Sequence, residues 1–518
     1  MILLDSGGAR ETPEKRDLLR GFVFPQGSHE PIENNRRRQF GGTSNAWGGR
    51  CIPFDSIDFA ERYWVPHSGW PISWQEVKGY LPKSAALCEI GDPVFDVMSA
   101  FPGRQAEMIA GFDGPDITSS QLERWGPPTN FAHRYGPELA RSGNVTVMLN
   151  CTVTSLTLDP SSRRVAKVDV AVAADQRFVI CPAMVVLACG GIENARLLLA
   201  SNDVIPTGIG NEHDNVGRYY MSHLTGMHTW AKLKDDGESL IFNFERHGET
   251  YVRRRFWVTP EAQEREKIGN SIATFLTPFT DDASQANALS SAIFLAKFGI
   301  GLARQGSLGH IRNHWTQLTE HAARVVRNGP QLLPQVTEAV KQRYFSKRRL
   351  PILLPRKEDL QNQFGLCYQT EHAPNPESRI VLHRERDALG VPRSEVRVAF
   401  SEIDIRTAVS THALIRKQLN STDTGDLAYD EDTLKDEVLN RLRNFDSAAH
   451  HIGTTRMALL PRDGVVDVDC RVHGTENLFV AGASVFATSG HANPTLMIIA
   501  LASRLVDHLK SKRFDKQK

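Results

Sequence analysis

The sequence predicts an α/β protein built on a Rossmann-like parallel sheet, and three observations point to it. Residues 184–188 form a short apolar run that Cys189-Gly190-Gly191 turns into a helix at 194–200, the strand-turn-helix order of such a sheet. Ile2-Leu3-Leu4 followed by Asp5-Ser6-Gly7-Gly8 reads as a second strand, ending in an acid and a glycine turn. The chain has 518 residues, 41% hydrophobic and 23% charged. That is enough for about three domain-sized units and is ordinary for a globular enzyme.

In chain order, the first strand ends at Asp5, where a dinucleotide-binding fold holds ribose hydroxyls; its G-x-G-x-x-G partner belongs about 20 residues upstream. Gly208-Ile209-Gly210 and Gly299-Ile300-Gly301 come nearest to that motif and lack the third glycine at the right spacing. Gly41-Gly42-Thr43-Ser44-Asn45-Ala46-Trp47-Gly48-Gly49-Arg50 is a loop suited to close backbone approach. Residues 145–148 and 152–156 alternate like strands, and 252–258 and 395–400 have strand-like composition. Near the end, Pro494 signals a helix start, and Asn493 before it suits an N-cap.

Composition excludes other classes. Sixty-one basic against 60 acidic side chains leave a formal charge of +1, with no global case for nucleic acid or an anionic membrane. The seven cysteines are scattered without a C-x-x-C, which fits a reducing compartment. No apolar run approaches the roughly 18 residues of a membrane span, and the N-terminal apolar run is too short for a secretory signal, so a cytoplasmic location is expected. His310-Ile311-Arg312-Asn313-His314 puts Arg where a zinc-protease helix needs Glu, so no metal is expected. There is no G-x-S-x-G elbow. Residues 297–357 carry twelve Lys or Arg against two Glu, a charge bias that suits either a solvated helical insertion or a weak contact with a membrane surface or partner.

Further blocks are Trp70-Pro71-Ile72, Val185-Val186-Leu187-Ala188-Cys189-Gly190-Gly191-Ile192-Glu193 and Asn215-Val216-Gly217-Arg218-Tyr219. Glu371-His372-Ala373-Pro374-Asn375-Pro376-Glu377-Ser378-Arg379 follows, then His450-His451-Ile452-Gly453-Thr454-Thr455-Arg456-Met457. Leu478-Phe479-Val480-Ala481-Gly482-Ala483-Ser484-Val485-Phe486 and Asn493-Pro494-Thr495-Leu496-Met497 complete the set. In this order and spacing they resemble the glucose–methanol–choline (GMC) family of flavin-dependent oxidoreductases, most specifically from residue 450 onward. The resemblance implies an FAD-binding Rossmann-like domain assembled from 1–75, 145–225 and 445–518. It also implies an α+β substrate domain on an antiparallel sheet from 76–144 and 226–444, with a basic helical insertion at about 285–357. Family members open with a strand, a G-x-G-x-x-G turn and a helix, so roughly 30 residues of that unit are expected to be missing here. Without the turn, weak FAD binding is expected.

By the same resemblance, His450 is the base that takes the substrate hydroxyl proton, with His451 as the adjacent alternative. Asn493 orients the substrate oxygen, or serves only as the N-cap. His491 either lines the pocket or packs. Asp5, Gly41, Gly42, Thr43, Ser44, Asn45, Gly48, Val153, Ala188, Gly190, Ala481, Gly482, Asn493, Pro494 and Thr495 match cofactor-contacting positions. Some relatives attach FAD through a histidine of the glycine loop; Ala46 stands there in this chain, so non-covalent FAD is expected.

The implied activity is oxidation of a CH–OH donor, such as a sugar, polyol or other alcohol, to its carbonyl. Oxygen, a quinone or a redox partner remains open as electron acceptor, and the basic stretch favours a dehydrogenase. Two other readings stand beside it: an FAD-containing lyase of the hydroxynitrile lyase type, and an inactive flavin-free fragment. No nucleic-acid partner is expected, and the substrate's identity is not legible.

Overall fold

The computed structural model describes residues 1–127, 129–234, 240–276, 291–292, 294–295, 298, 315–327, 337, 341, 363–445 and 449–515. Two layers of parallel pairing form the first unit. Strand Ile2–Leu4 pairs in parallel with Thr146–Met148, and Val185–Leu187 pairs in parallel with Leu478–Val480. Parallel pairing between segments so distant in sequence requires crossovers, as expected of an α/β fold. Among the described residues the two pairs are separate sheets. Val186 stays 43% exposed beside the buried Leu187.

An antiparallel meander of Thr152–Leu158, Val165–Ala171 and Arg177–Ile180 joins this unit. The strand Thr152–Leu158 alternates between buried and half-buried positions, the period-2 pattern of a sheet with one covered face. Helix Gly191–Ala200 buries Ile192, Ala195, Leu197 and Leu198 in the same core. Its Arg196 reaches Asp387 at 2.7 Å, tying it to the hairpin Arg379–Arg386 and Pro392–Arg397. Strand Phe22–Val23 extends that hairpin in parallel. The hairpin, which the sequence-based division places in the second unit, therefore lies against a helix of the first.

The second unit is an eight-stranded sheet. Its order is Gly425–Ala428, His223–Leu233, Gln363–Glu371, Ser271–Leu276, Thr250–Val258, Ile117–Trp125 and Arg50–Cys51, with Glu245–His247 added beside Thr250–Val258. All its pairings are antiparallel. Strand Gln363–Glu371 sets the layering. Phe364, Leu366 and Tyr368 pack with Ala408, Leu414, Ile415, Leu434 and Val438 of helices Glu402–Ser421 and Glu431–Arg443. Because side chains alternate along a strand, Gln369 and Glu371 point to the opposite face, toward the first unit. The long helix starts at a capping box, Ser401 with Asp404, and Asp404 also accepts the Ala373 amide at 2.7 Å.

The helix Thr495–Asp515 closes the chain against Leu81–Cys88. Of the basic stretch, helix Trp315–Arg327 and isolated residues are described; the rest of the expected insertion at 285–357 lies outside the described residues. No described helix is long and apolar enough to cross a membrane.

Candidate active site

The segment carrying His450 is held by backbone pairing. Met221 and Ile452 exchange both hydrogen bonds, at 2.9 and 3.0 Å, as an antiparallel bridge. Two residues further along each segment stand His223 and His450, which therefore face one another on the same side. Gly453 follows with φ +86, and a Cβ there would lie 2.3 Å from the Tyr219 carbonyl oxygen, so no other residue fits. Thr454 Oγ1 donates to the Gly191 carbonyl, and the Thr455 amide donates to Ser484 O at 2.8 Å. The His-x-x-Gly-Thr block is thus locked between helix Gly191–Ala200 and the turn Ala483–Val485.

His450 Nδ1 lies 2.7 Å from His223 Nδ1, and His450 Nε2 lies 3.4 Å from Asn493 Nδ2. Burial, followed by His223, His451 and Arg50, holds the His450 imidazole well below its ordinary range, so it is neutral at physiological pH. Asn493 Oδ1 accepts from Gln369 Nε2 at 3.2 Å and Arg50 Nη1 at 3.5 Å. These contacts turn the Asn493 side chain toward His450 and not back onto the helix beginning at Thr495, leaving Pro494 just ahead of the first helical residue. Of the two histidines weighed for the base, it is His450 that meets Asn493.

A charged frame stands behind the pair. Arg50 and Arg253 each reach Glu123 at 2.6 Å, and Trp125 Nε1 donates to it at 2.9 Å. Burial pushes Glu123 up, but Arg253 and Arg50 outweigh it and hold the carboxyl down at about 2. His491 is fully buried and does not line an open pocket: its Nε2 lies 2.9 Å from Arg255 Nη1 and its Nδ1 3.4 Å from Asp55 Oδ2. Asn270 Nδ2 donates to Asp55 at 3.0 Å and Asp58 at 2.9 Å. Burial, then Asp55 and Glu371, push Asp58 up to about 8, so Asp58 keeps its proton at neutral pH. Asp55, Asp58 and His491 offer three ligand-type atoms within 4.8 Å of one another. Asn270 and Arg255 already supply that cluster with donors and a counter-charge.

The expected cofactor residues fall into three linked turns. Asp5 Oδ1 accepts the Gly7 amide at 2.8 Å and Oδ2 the Gly41 amide at 3.3 Å, which joins the acid to the start of the glycine loop. Val153 is half-buried beside this turn, where Thr152 Oγ1 meets Ser6 Oγ at 2.6 Å. Within the loop, Thr43 Oγ1 accepts from the Arg37 amide at 3.2 Å, Ser44 donates to Gly41 O, and Asn45 Nδ2 donates to Phe40 O at 2.6 Å. These three side chains shape the loop, while a Cβ at Gly42 or Gly48 would meet nothing closer than 3.9 Å. Arg50, at the far end, touches Asn493, so the loop runs from Asp5 to the His450 pair.

Ala188, Cys189 and Gly190 are exposed at the carboxyl end of strand Val185–Leu187. Asn194 ties this turn to Ala481 and Gly482 by accepting the Cys189 amide at 2.9 Å and donating to Ala481 O at 3.4 Å and Ser484 Oγ at 3.0 Å. Gly190 has φ +91, and a Cβ there would meet nothing within 4 Å. Open space over the carboxyl ends of parallel strands is where α/β folds take ligands. The exposed turns, the acid and the loop joining them to His450 suit an elongated flavin dinucleotide.

The sequence alone did not single out Arg50, Glu123, His223, Arg255 or Gln369. Arg253-Arg254-Arg255 within a buried strand was the available signal, because three buried guanidiniums demand acidic or acceptor partners.

Residues 374–502 match the family model for GMC oxidoreductase. A 141-residue stretch is 34% identical to the fructose dehydrogenase large subunit of Gluconobacter japonicus, covering 26% of this chain and 23% of that protein. The chain thus aligns with less than a quarter of that relative's length. An 82-residue stretch is 37% identical to Dehydrogenase str4 of Strobilurus tenacellus, covering 15% and 13%. Over 99% of its length the chain shares the fold of a fungal aryl-alcohol oxidase, with a TM-score of 0.52 at 13% identity and 95% of that chain covered. A formate oxidase matches with a TM-score of 0.52 at 16% identity over 99% and 94% of the two chains. The match over residues 374–502 and the shared fold make this chain similar to GMC oxidoreductases, and the similarity supports FAD as its cofactor.

Proposed function

We propose that this chain is an FAD-dependent oxidoreductase acting on the CH–OH group of a small alcohol or sugar, with a second substrate as electron acceptor. The observation that carries this reading is the opposition of His450 Nε2 and Asn493 Nδ2, with the glycine loop leading from Asp5 to Arg50 beside them. A hydroxyl set to one side of the pair, within reach of both, gives its proton to His450 Nε2 and accepts a hydrogen bond from Asn493 Nδ2. Arg50 and Gln369 hold the Asn493 oxygen, so the amide nitrogen stays turned toward the reacting oxygen. Burial keeps His450 neutral and able to accept the proton at neutral pH.

FAD, when bound, supplies the hydride acceptor. Asp5 and Val153 would hold its adenosine half, and Ala188, Gly190, Ala481 and Gly482 its central part. Gly41, Gly42, Thr43, Ser44, Asn45, Gly48, Asn493, Pro494 and Thr495 would hold the flavin half. Ala46 offers no nucleophile, so the cofactor is held without a covalent bond through that position.

The test begins with FAD loading, desalting and a visible spectrum, followed by anaerobic mixing with a panel of alcohols and sugars. Bleaching of retained flavin by an alcohol supports the reading. Retained flavin that no alcohol or sugar bleaches, with cyanohydrin cleavage instead, rejects oxidation in favour of a lyase.

A further inference from the structure

The reaction needs one particular nitrogen of His450 to be free of hydrogen, and the contacts around a second histidine decide which one it is. His223 is buried, at 1% exposure, at the start of strand His223–Leu233, directly opposite His450 across the extension of the Met221–Ile452 bridge. Its Nε2 lies 3.0 Å from Gly490 O and 3.3 Å from Ser489 O, and its Nδ1 lies 2.7 Å from His450 Nδ1. A carbonyl oxygen only accepts. The hydrogen of a neutral His223 must therefore sit on Nε2, which leaves Nδ1 bare. The opposite tautomer would press a lone pair against two carbonyl oxygens at a buried ring. Burial holds His223 down at about 4, so one hydrogen per ring is the state at neutral pH.

A bare His223 Nδ1 at 2.7 Å can only be met by a hydrogen on His450 Nδ1. His450 Nε2 is then the bare nitrogen, and it is the one facing Asn493. Asn493 agrees from the other side. Its oxygen takes hydrogen bonds from Arg50 and Gln369, so the group facing His450 Nε2 at 3.4 Å is the NH2, which needs an acceptor. The three contacts admit one arrangement of hydrogens.

We propose that His223 is a positioning residue that fixes the tautomer of His450, keeping Nε2 bare for the substrate proton. This rests on the reading of His450 as the base. When the substrate O–H bond breaks, its proton goes to His450 Nε2. The resulting imidazolium keeps its Nδ1–H donated to His223 Nδ1, which spreads the positive charge onto a second buried ring. His223 touches no substrate, and the relay ends there because its own Nε2–H is committed to the two carbonyls.

The test reads hydrogens directly, independent of turnover. In a long-range proton–nitrogen correlation spectrum of the [15N]histidine-labelled chain at neutral pH, the cross-peaks lost in His450→Gln identify His450. The expected spectrum shows Nε2 as a bare ring nitrogen and Nδ1 as a protonated one. His223→Leu should move His450 to a tautomer mixture, whereas His223→Asn, whose oxygen can replace the lost Nδ1 acceptor, should retain it. With FAD bound, reduction by an alcohol substrate should slow by roughly 10- to 100-fold in His223→Leu and stay within about threefold in His223→Asn.

A protonated Nε2 on His450 in the unaltered chain overturns the proposal, as does a His223→Leu spectrum identical to it. If His223→Leu does not fold, the unaltered chain and His223→Asn still decide. A bare Nε2 in a chain whose flavin no alcohol reduces would reject the alcohol reading and leave the tautomer assignment standing.

Discussion

Asn493 presents its amide nitrogen 3.4 Å from Nε2 of His450, with its oxygen held by Gln369 and Arg50. This geometry separates two substitutions. Asn493→Ala removes one donor to the reacting oxygen and should slow flavin reduction by about tenfold with little loss of stability, since the side chain is not spent on the helix start. Asn493→Asp places a carboxylate beside Nε2, favours the imidazolium and removes the base. It should be slower than Asn493→Ala at neutral pH and recover as pH rises. Anaerobic stopped-flow reduction of both variants across pH checks this; equal rates with no pH recovery would reject the orientation of the amide.

His450→Ala should slow flavin reduction by roughly 10²- to 10⁴-fold while bound FAD stays near the wild-type level. In the unaltered chain the depressed His450 titration gives the sign of the pH effect. The base form persists as pH falls through 6.5, the ordinary imidazole value, and is lost only well below it. The reduction rate should thus stay flat from about pH 8 to about pH 6. A rate halved near 6.5 would mean that another group is the base.

His450 and Asn493 were marked in the sequence by the resemblance of their blocks to the GMC family, and the structure brings the two side chains together. Asp5 at a strand end and the turn after residue 187 were legible from local pattern as well. What was not legible lies across chain gaps of hundreds of residues. His223 meets His450 only because Met221 pairs with Ile452, and Glu123 is a partner for Arg50 and Arg253 only once the eight-stranded sheet has formed. Periodicity marks which face of a strand is buried, but not which buried charge finds which partner. Likewise, Asn493 fitted an N-cap on local rules, and only the tertiary contacts to Arg50 and Gln369 turned it away.

Arg255 is the counter-charge for a buried acidic pair, which makes its removal costly. Burial brings its guanidinium down to about 10, and it still faces Asp55 and Asp58 with His491 at 2.9 Å. Arg255→Met should destabilise the fold by about 3–5 kcal/mol, because it leaves a carboxylate unpaired in the interior. Adding Asp55→Asn should restore part of that loss, measured as denaturation midpoints in a double-mutant cycle. Simple additivity of the two substitutions would show that the charges do not interact.

Cys189 offers a direct probe of the cleft. The thiol is exposed in the turn between Ala188 and Gly190, yet desolvation by the surrounding protein and then the Glu193 carboxylate push it up to about 11. Alkylation should be slow at neutral pH and rise about tenfold per pH unit as the thiolate forms. If FAD lies over this turn, saturating FAD should suppress labelling of the Cys189 peptide, read by mass spectrometry, while leaving the exposed Cys181 unaffected. Equal labelling of Cys189 with and without FAD would remove Ala188 and Gly190 from the cofactor site.

Stability should peak in a narrow pH range, because two sets of buried groups titrate in opposite senses. His29, His223 and His412 titrate at about 4 in the fold against 6.5 unfolded, so the unfolded chain binds more protons between those values. Each then removes up to about 1.4 kcal/mol per pH unit as pH falls from 6.5 toward 4, and the more deeply depressed His450 and His491 act in the same sense. Asp58 runs the other way: it titrates at about 8 in the fold against 3.8 unfolded, so the native state binds the extra proton and gains stability as pH falls below 8. Asp5, Asp55 and Asp404, also raised, oppose the histidines at the acid end. Between pH 8 and 6.5 the Asp58 term acts with little opposition, and below 6.5 five histidines outweigh it. Melting temperature measured against pH should therefore pass through a maximum near about 6.5. Asp58→Asn should flatten the alkaline side of that maximum and steepen the acid side, and an unchanged alkaline slope would mean that Asp58 does not keep its proton in the fold.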